Sequence, residues 1–241
     1  MSWSGTPDSL HAFCEPKRAT TPHIQEFWNT VSSVVYILVG GVGLVVATRN
    51  RSNWRIGLAW CALVIVGVGS GFFHATLRYP AELLDEVSMW ILVLSFLIGK
   101  EDCVWWVCGP AGRLRFRVSL LALLIAATLL YVTFLVYEIF VYTFFVAVVA
   151  EIVMDLASRP RTWQTRACFC VAVAAIGVGY AVWQIEKQLC ASHPHIWPLH
   201  VLWHLLSCVG GAFAILHNVF LRREKLTDNA NKACDTDHTR L

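Results

Sequence analysis

The chain has 241 residues, of which 57% are hydrophobic and 15% charged, with a formal net charge of +3. A soluble domain carries about 25% charged and roughly 45–50% apolar residues, so this balance points to lipid rather than water as the solvent. The length suits one domain, and so mild a charge gives no sign of a nucleic-acid partner.

Residues 1–25 are polar and lack the basic start, short apolar core and small-residue cleavage site of a secretory leader, so the first apolar run is expected to persist. A helix needs about 20 mostly apolar residues to cross the hydrocarbon layer. Seven such runs are predicted, near 27–48, 54–76, 81–99, 117–136, 138–157, 166–186 and 198–221. The third has Asp85 and Glu86 in its first turns, and a tight turn at Tyr137 and Glu138 is expected to part the fourth from the fifth. Runs this long and continuous favour helices over a barrel. The expected fold is an all-α, seven-transmembrane helix bundle. It has an N-terminal segment (1–26), a membrane domain (27–221) and a polar, disordered tail (222–241).

The nineteen Lys and Arg residues set the expected orientation. Arg49, Arg51, Arg55, Lys100, Arg113, Arg115, Arg117, Arg159, Arg161, Arg166 and the tail's Arg222, Arg223, Lys225, Lys232 and Arg240 fall on one side. Lys17, Arg18, Arg78 and Lys187 fall on the other. The positive-inside rule then places the C-terminus in the cytosol and the N-terminus in the lumen or outside. Of nine cysteines, Cys14 and Cys190 are on the proposed lumenal side, where a disulfide between them would tie the N-terminal segment to the loop before the last helix. Cys61, Cys168, Cys170 and Cys208 read as apolar packing residues, and Cys103 and Cys108 as reduced cytosolic thiols.

Ionisable residues in membrane helices are costly, and each invites a functional reading. Ser70 and His74 are four apart at the end of the second run, and His200 and His204 are four apart at the start of the last, so each pair shares a helix face. Asp85 opens the third run, and in the expected topology all five groups lie on one membrane side. Two imidazoles from one helix and a third from another make a three-ligand zinc site with an open fourth position. Zinc there would lower the pKa of water from 15.7 toward about 7. Asp85 would take and pass on a proton, and Ser70 would steady a developing oxyanion. The alternatives are plain: helix-end histidines are often interfacial, a membrane Ser often bonds the carbonyl one turn back, and Asp85 could serve a helix N-terminus. His11, His23, His193, His195, His217 and His238 read as loop, interface or tail residues.

These residues lie in stretches that resemble the alkaline ceramidase family. One is Cys14-Glu15 with Glu26-Phe27-Trp28-Asn29-Thr30. A second is Gly67-x-Gly69-Ser70-x-x-Phe73-His74-Ala75-Thr76-Leu77 with Leu83-Leu84-Asp85-Glu86. The third is His200-x-x-Trp203-His204-Leu205-Leu206. The resemblance implies hydrolysis of ceramide, the lipid substrate, to a sphingoid base and a fatty acid. It implies zinc on His74, His200 and His204, with Ser70 and Asp85 assisting. It also supports the Cys14–Cys190 disulfide and an endoplasmic reticulum or Golgi membrane.

The wider group is similar to adiponectin receptors, so a zinc-binding, receptor-like protein with little turnover is the alternative. A transporter or di-haem carrier would use the same His pair. The resemblance further implies calcium on the N-terminal segment, with ligands at positions 12, 13, 15, 17 and 26. Glu15 and Glu26 are kept, and Phe13 would contribute its carbonyl. Ala12 and Lys17 stand where the family has Asp and Asn, and calcium wants six to eight oxygens. Lys17 is therefore expected to replace the ion, pairing with Glu15 and Glu26; a vestigial site with a solvated lysine is the other reading.

Overall fold

The computed structural model describes residues 6–103, 107 and 109–238, with side chains as far as Thr227. Cys108 falls outside these residues. Seven helices follow one another: α1 (Phe27–Arg49), α2 (Trp54–Thr76), α3 (Tyr79–Gly99), α4 (Gly109–Phe134), α5 (Tyr137–Ala157), α6 (Trp163–Leu189) and α7 (Pro198–His238). A 3-10 turn at Pro194–Ile196 leads into α7, and there is no strand among the described residues.

Six of the helices, all but α3, are long and apolar enough to cross a membrane. Three acids, Glu82, Asp85 and Glu86, set α3 apart from the others. The largest departures are at three predicted boundaries, and one is the last: α7 runs on to His238 rather than ending near 221, so residues 222–238 of the expected disordered tail are helical. α4 begins at Gly109 rather than near 117, and the α4–α5 turn falls at Leu135 and Val136 rather than at Tyr137 and Glu138, which open α5. Leu135, with φ 53°, is the break: a left-handed residue cannot continue the helix.

The helix ends follow local chemistry. Asn53 caps α2 by accepting the Arg55 N–H at 3.1 Å, and Thr162 accepts from Thr165 N at 3.4 Å to cap α6. α1 is capped from a distance: the Glu15 carboxylate accepts the N–H groups of Trp28 at 2.7 Å and Asn29 at 2.8 Å. α2 ends at Leu77, left-handed with φ 49°, where glycine is usual. Burial with Phe73 and Ala81 holds it, and its carbonyl accepts from Asp8 N and Ser9 N at 3.0 and 3.1 Å.

Large apolar side chains face outward, among them Leu38, Val42, Leu123 and Val146, each more than 60% exposed, as a lipid-facing surface requires. Inside, Tyr36, Trp60, Leu63, Phe96 and Ile215 join α1, α2, α3 and α7. A second, aromatic cluster of Trp90, Tyr131, Phe140, Phe144, Trp183 and Trp203 joins α3, α4, α5, α6 and α7, with Trp183 stacked on Trp203 at 5.0 Å. α2 and α3 approach so closely that a Cβ on Gly69 would lie 3.1 Å from the Asp85 Cα; glycine at 69 is what lets Ser70 and Asp85 face one space.

A metal-binding geometry built by α2 and α7

His74, in the last turn of α2, and His200 and His204, in the first turns of α7, meet at one end of the bundle. One ligand atom from each lies within 4.8 Å of the others, and all three residues are buried. The ring centroids are 5.0 Å (His74–His200), 5.1 Å (His74–His204) and 4.6 Å (His200–His204) apart.

Each ring is held by its Nδ1. His74 Nδ1 is 2.6 Å from Glu26 Oε2, His200 Nδ1 is 3.0 Å from Glu186 Oε2, and His204 Nδ1 is 2.7 Å from Ser32 Oγ. An Nδ1–H that donates to such a partner leaves Nε2 with its lone pair, and outer partners of this kind fix the tautomer and orientation of metal-binding histidines. His74 Nε2 is buried without a hydrogen-bond partner. That orphaned nitrogen, with three imidazoles held at Nδ1 by two acids and a hydroxyl, fits a zinc ion well.

Ser70 Oγ lies 2.9 Å from Ser33 Oγ and 3.5 Å from His204 Nε2, which puts it beside the three rings. Asp85 lines the same cavity as Ser70, His200 and His204, and its carboxylate has no hydrogen bond or ion pair among the described residues. All five predicted groups therefore share one site. The signals for Ser32 and Glu186 went unused in the sequence: a polar residue in the first turns of the first run, and the one acid of the sixth.

The N-terminal segment roofs this site. Glu82 accepts the N–H groups of Leu10 at 2.6 Å and His11 at 2.9 Å, Glu26 that of Phe13 at 3.0 Å, and Glu186 that of Cys14 at 2.8 Å. The Phe13 ring sits 3.6 Å from that of His200, and a disulfide joins Cys14 to Cys190. Lys17 Nζ is bonded to Glu26 Oε1, to the Phe13 carbonyl at 2.5 Å and to the Glu15 carbonyl at 2.9 Å. An ammonium thus lies among the oxygens of Phe13, Glu15 and Glu26. The pairing differs from the expected one in that Glu15 gives Lys17 its carbonyl, because its carboxylate is committed to α1.

Comparison with known proteins gives a consistent result. A sequence profile of the family described as Ceramidase matches residues 5–238. Alkaline ceramidase 3 of Mus musculus is 26% identical over 231 residues, covering 91% of this chain and 86% of that one. The alkaline ceramidase of Arabidopsis thaliana is 27% identical over 243 residues, covering 93% and 88%. Alkaline ceramidase 1 of Homo sapiens is 24% identical over 203 residues, covering 82% and 76%. With the family profile matched along nearly the whole length, the chain belongs to the Ceramidase family.

Proposed function

We propose that this enzyme hydrolyses the amide bond of ceramide within the membrane, releasing a sphingoid base and a fatty acid, at a zinc centre on His74, His200 and His204. The observation that carries the proposal is the trio of buried imidazoles, each anchored at Nδ1 and converging on one point. Zinc bound there would supply Lewis acidity and an acidified water.

The protein's own groups do the rest. Ser70 Oγ, 2.9 Å from Ser33 Oγ, swings its one O–H from Ser33 to the oxygen of the scissile carbonyl as charge develops on it. Asp85, whose carboxylate has no hydrogen-bond or ion-pair partner among the described residues, accepts the proton of the attacking water and delivers it to the departing amine. Phe13 and Phe73 wall the site against bulk water, so the polar groups act at low dielectric. Lys17 serves as the built-in cation of the N-terminal segment, in the place of calcium.

We read all seven helices as spanning, α3 with its acids turned to the interior, residues 1–26 as lumenal and residues 222–241 as a cytosolic tail. The excess of Lys and Arg at the end opposite the histidines supports this orientation. So does the disulfide beside the histidines, since such bonds persist in the oxidising lumen. The family resemblance implies an endoplasmic reticulum or Golgi membrane, and in this reading the site faces its lumen.

Purified protein given ceramide in mixed micelles tests the proposal. Steady release of fatty acid, lost on stripping zinc and regained on adding it, is expected. Ceramide that binds without turnover would overturn the hydrolase reading in favour of a receptor-like one.

A further inference from the structure

Four ionisable side chains are buried together at the other end of the bundle. Lys100, which closes α3, is bonded to Glu151 Oε1 and lies 2.8 Å from Asp155, both on α5. His217 of α7 reaches the same Asp155 at 2.9 Å, and its Nδ1 is bonded to the Thr165 carbonyl of α6 at 2.9 Å. None of the four is more than 6% exposed. Burying charge in a membrane-embedded bundle is costly. A surface ion pair would fasten the helices without that cost, so the placement calls for a reason.

The cavity supplies one. It begins at His200, His204 and Asp85 and continues between α3, α5, α6 and α7 along apolar walls such as Val148, Ile176 and Ala214. Glu151 and Asp155 line its far end. Glu151 Oε2 is buried there without a hydrogen-bond partner. From His204 to Ala214 the helix rises about 15 Å at roughly 1.5 Å per residue, a depth suited to a long hydrocarbon chain.

We propose that the Lys100–Glu151–Asp155–His217 cluster is the floor of the substrate cavity and sets the longest hydrocarbon chain the enzyme accepts. The inference rests on the ceramide reading above. A substrate drawn from lipid gains nothing from each methylene it moves into an apolar cavity, so affinity alone gives no length preference. A floor of charged groups does: a methyl end pressed onto a carboxylate must desolvate it or fold back against close-packed walls.

Two ceramide series test this with the full-length protein, one varying the acyl chain and one the sphingoid base. In one series kcat/KM stays level as the chain grows and then falls roughly tenfold over a methylene or two, as overpacking does. Glu151→Ala, which deepens the floor and leaves Asp155 to pair with Lys100, moves that break to longer chains. Glu151→Gln keeps the volume and leaves the break in place. Ala214→Leu, which leaves the cluster intact, moves it to shorter chains and decides alone if the Glu151 variants do not accumulate. The position of the break is the readout, so a general loss of activity does not imitate it. No break in either series, or a break that stays put in Glu151→Ala, overturns the inference; where the Glu151 variants do not accumulate, a break that Ala214→Leu leaves in place does so. A wild-type protein that cleaves no ceramide of any length overturns the proposed function instead.

Discussion

Glu186 grips two things with one carboxylate: Oε2 lies 3.0 Å from His200 Nδ1, and Oε1 accepts the N–H of Cys14 at 2.8 Å. The acid thus links the His200 imidazole to the disulfide-held segment that roofs the site. Removing an outer partner of this kind typically costs 10- to 100-fold in metal affinity. Glu186→Gln is expected to weaken zinc binding by about that factor, read by competition with a chelator of known affinity. Unchanged affinity would mean that Glu186 serves only the roof.

Lys17 carries the second prediction. Its ammonium already fills the oxygen cage of Phe13, Glu15 and Glu26, so hydrolysis by the wild type should keep its rate in a calcium-selective chelator. Lys17→Met leaves those oxygens facing one another. It should lower stability by about 1–3 kcal/mol, a moderate value because the Lys17 side chain is 34% exposed and water answers part of the loss. Inhibition by the chelator that calcium reverses would contradict this.

Acid should loosen the roof through His11. The ring stacks on Tyr137 at 4.4 Å and its Nε2 is buried without a partner. Burial, with the nearby Lys187 and Lys17 charges, lowers its pKa from 6.5 to about 4, against the opposing pull of Glu26 and Glu138. Between those values the unfolded chain holds the proton and the folded one does not. Stability therefore rises with pH across this window and is lost as pH falls from 6.5 toward 4. His11→Phe removes the titration and should flatten that part of the melting-temperature profile. An equal slope in the variant would assign the acid sensitivity elsewhere.

How legible all this was in the sequence depends on what each feature needs. The apolar helices needed only apolar length, and the polar pairs only helical spacing: Ser70 with His74, and His200 with His204, are one turn apart whatever surrounds them. α3 was readable as a helix, but Glu82, Asp85 and Glu86 keep its composition from marking a span. The partners of the rings were not readable. Ser32 and Glu26 come from the start of α1 and Glu186 from the end of α6, and their meeting depends on how three helices pack. His217 reads in the sequence as a loop, interface or tail residue, whereas in the structure it is buried against Asp155. Glu151 and Asp155, two acids inside a predicted span, were the clue to the far cluster, since charge in a membrane helix rarely lacks a reason.

His204→Ala, assayed for bound metal and for ceramide hydrolysis on the same purified sample, bears most directly on the centre where α2 and α7 meet. Loss of zinc and of turnover together is expected, while the exposed His23→Ala keeps both. Full zinc content in the His204 variant, or hydrolysis that survives the loss of zinc, would contradict the metal-dependent mechanism.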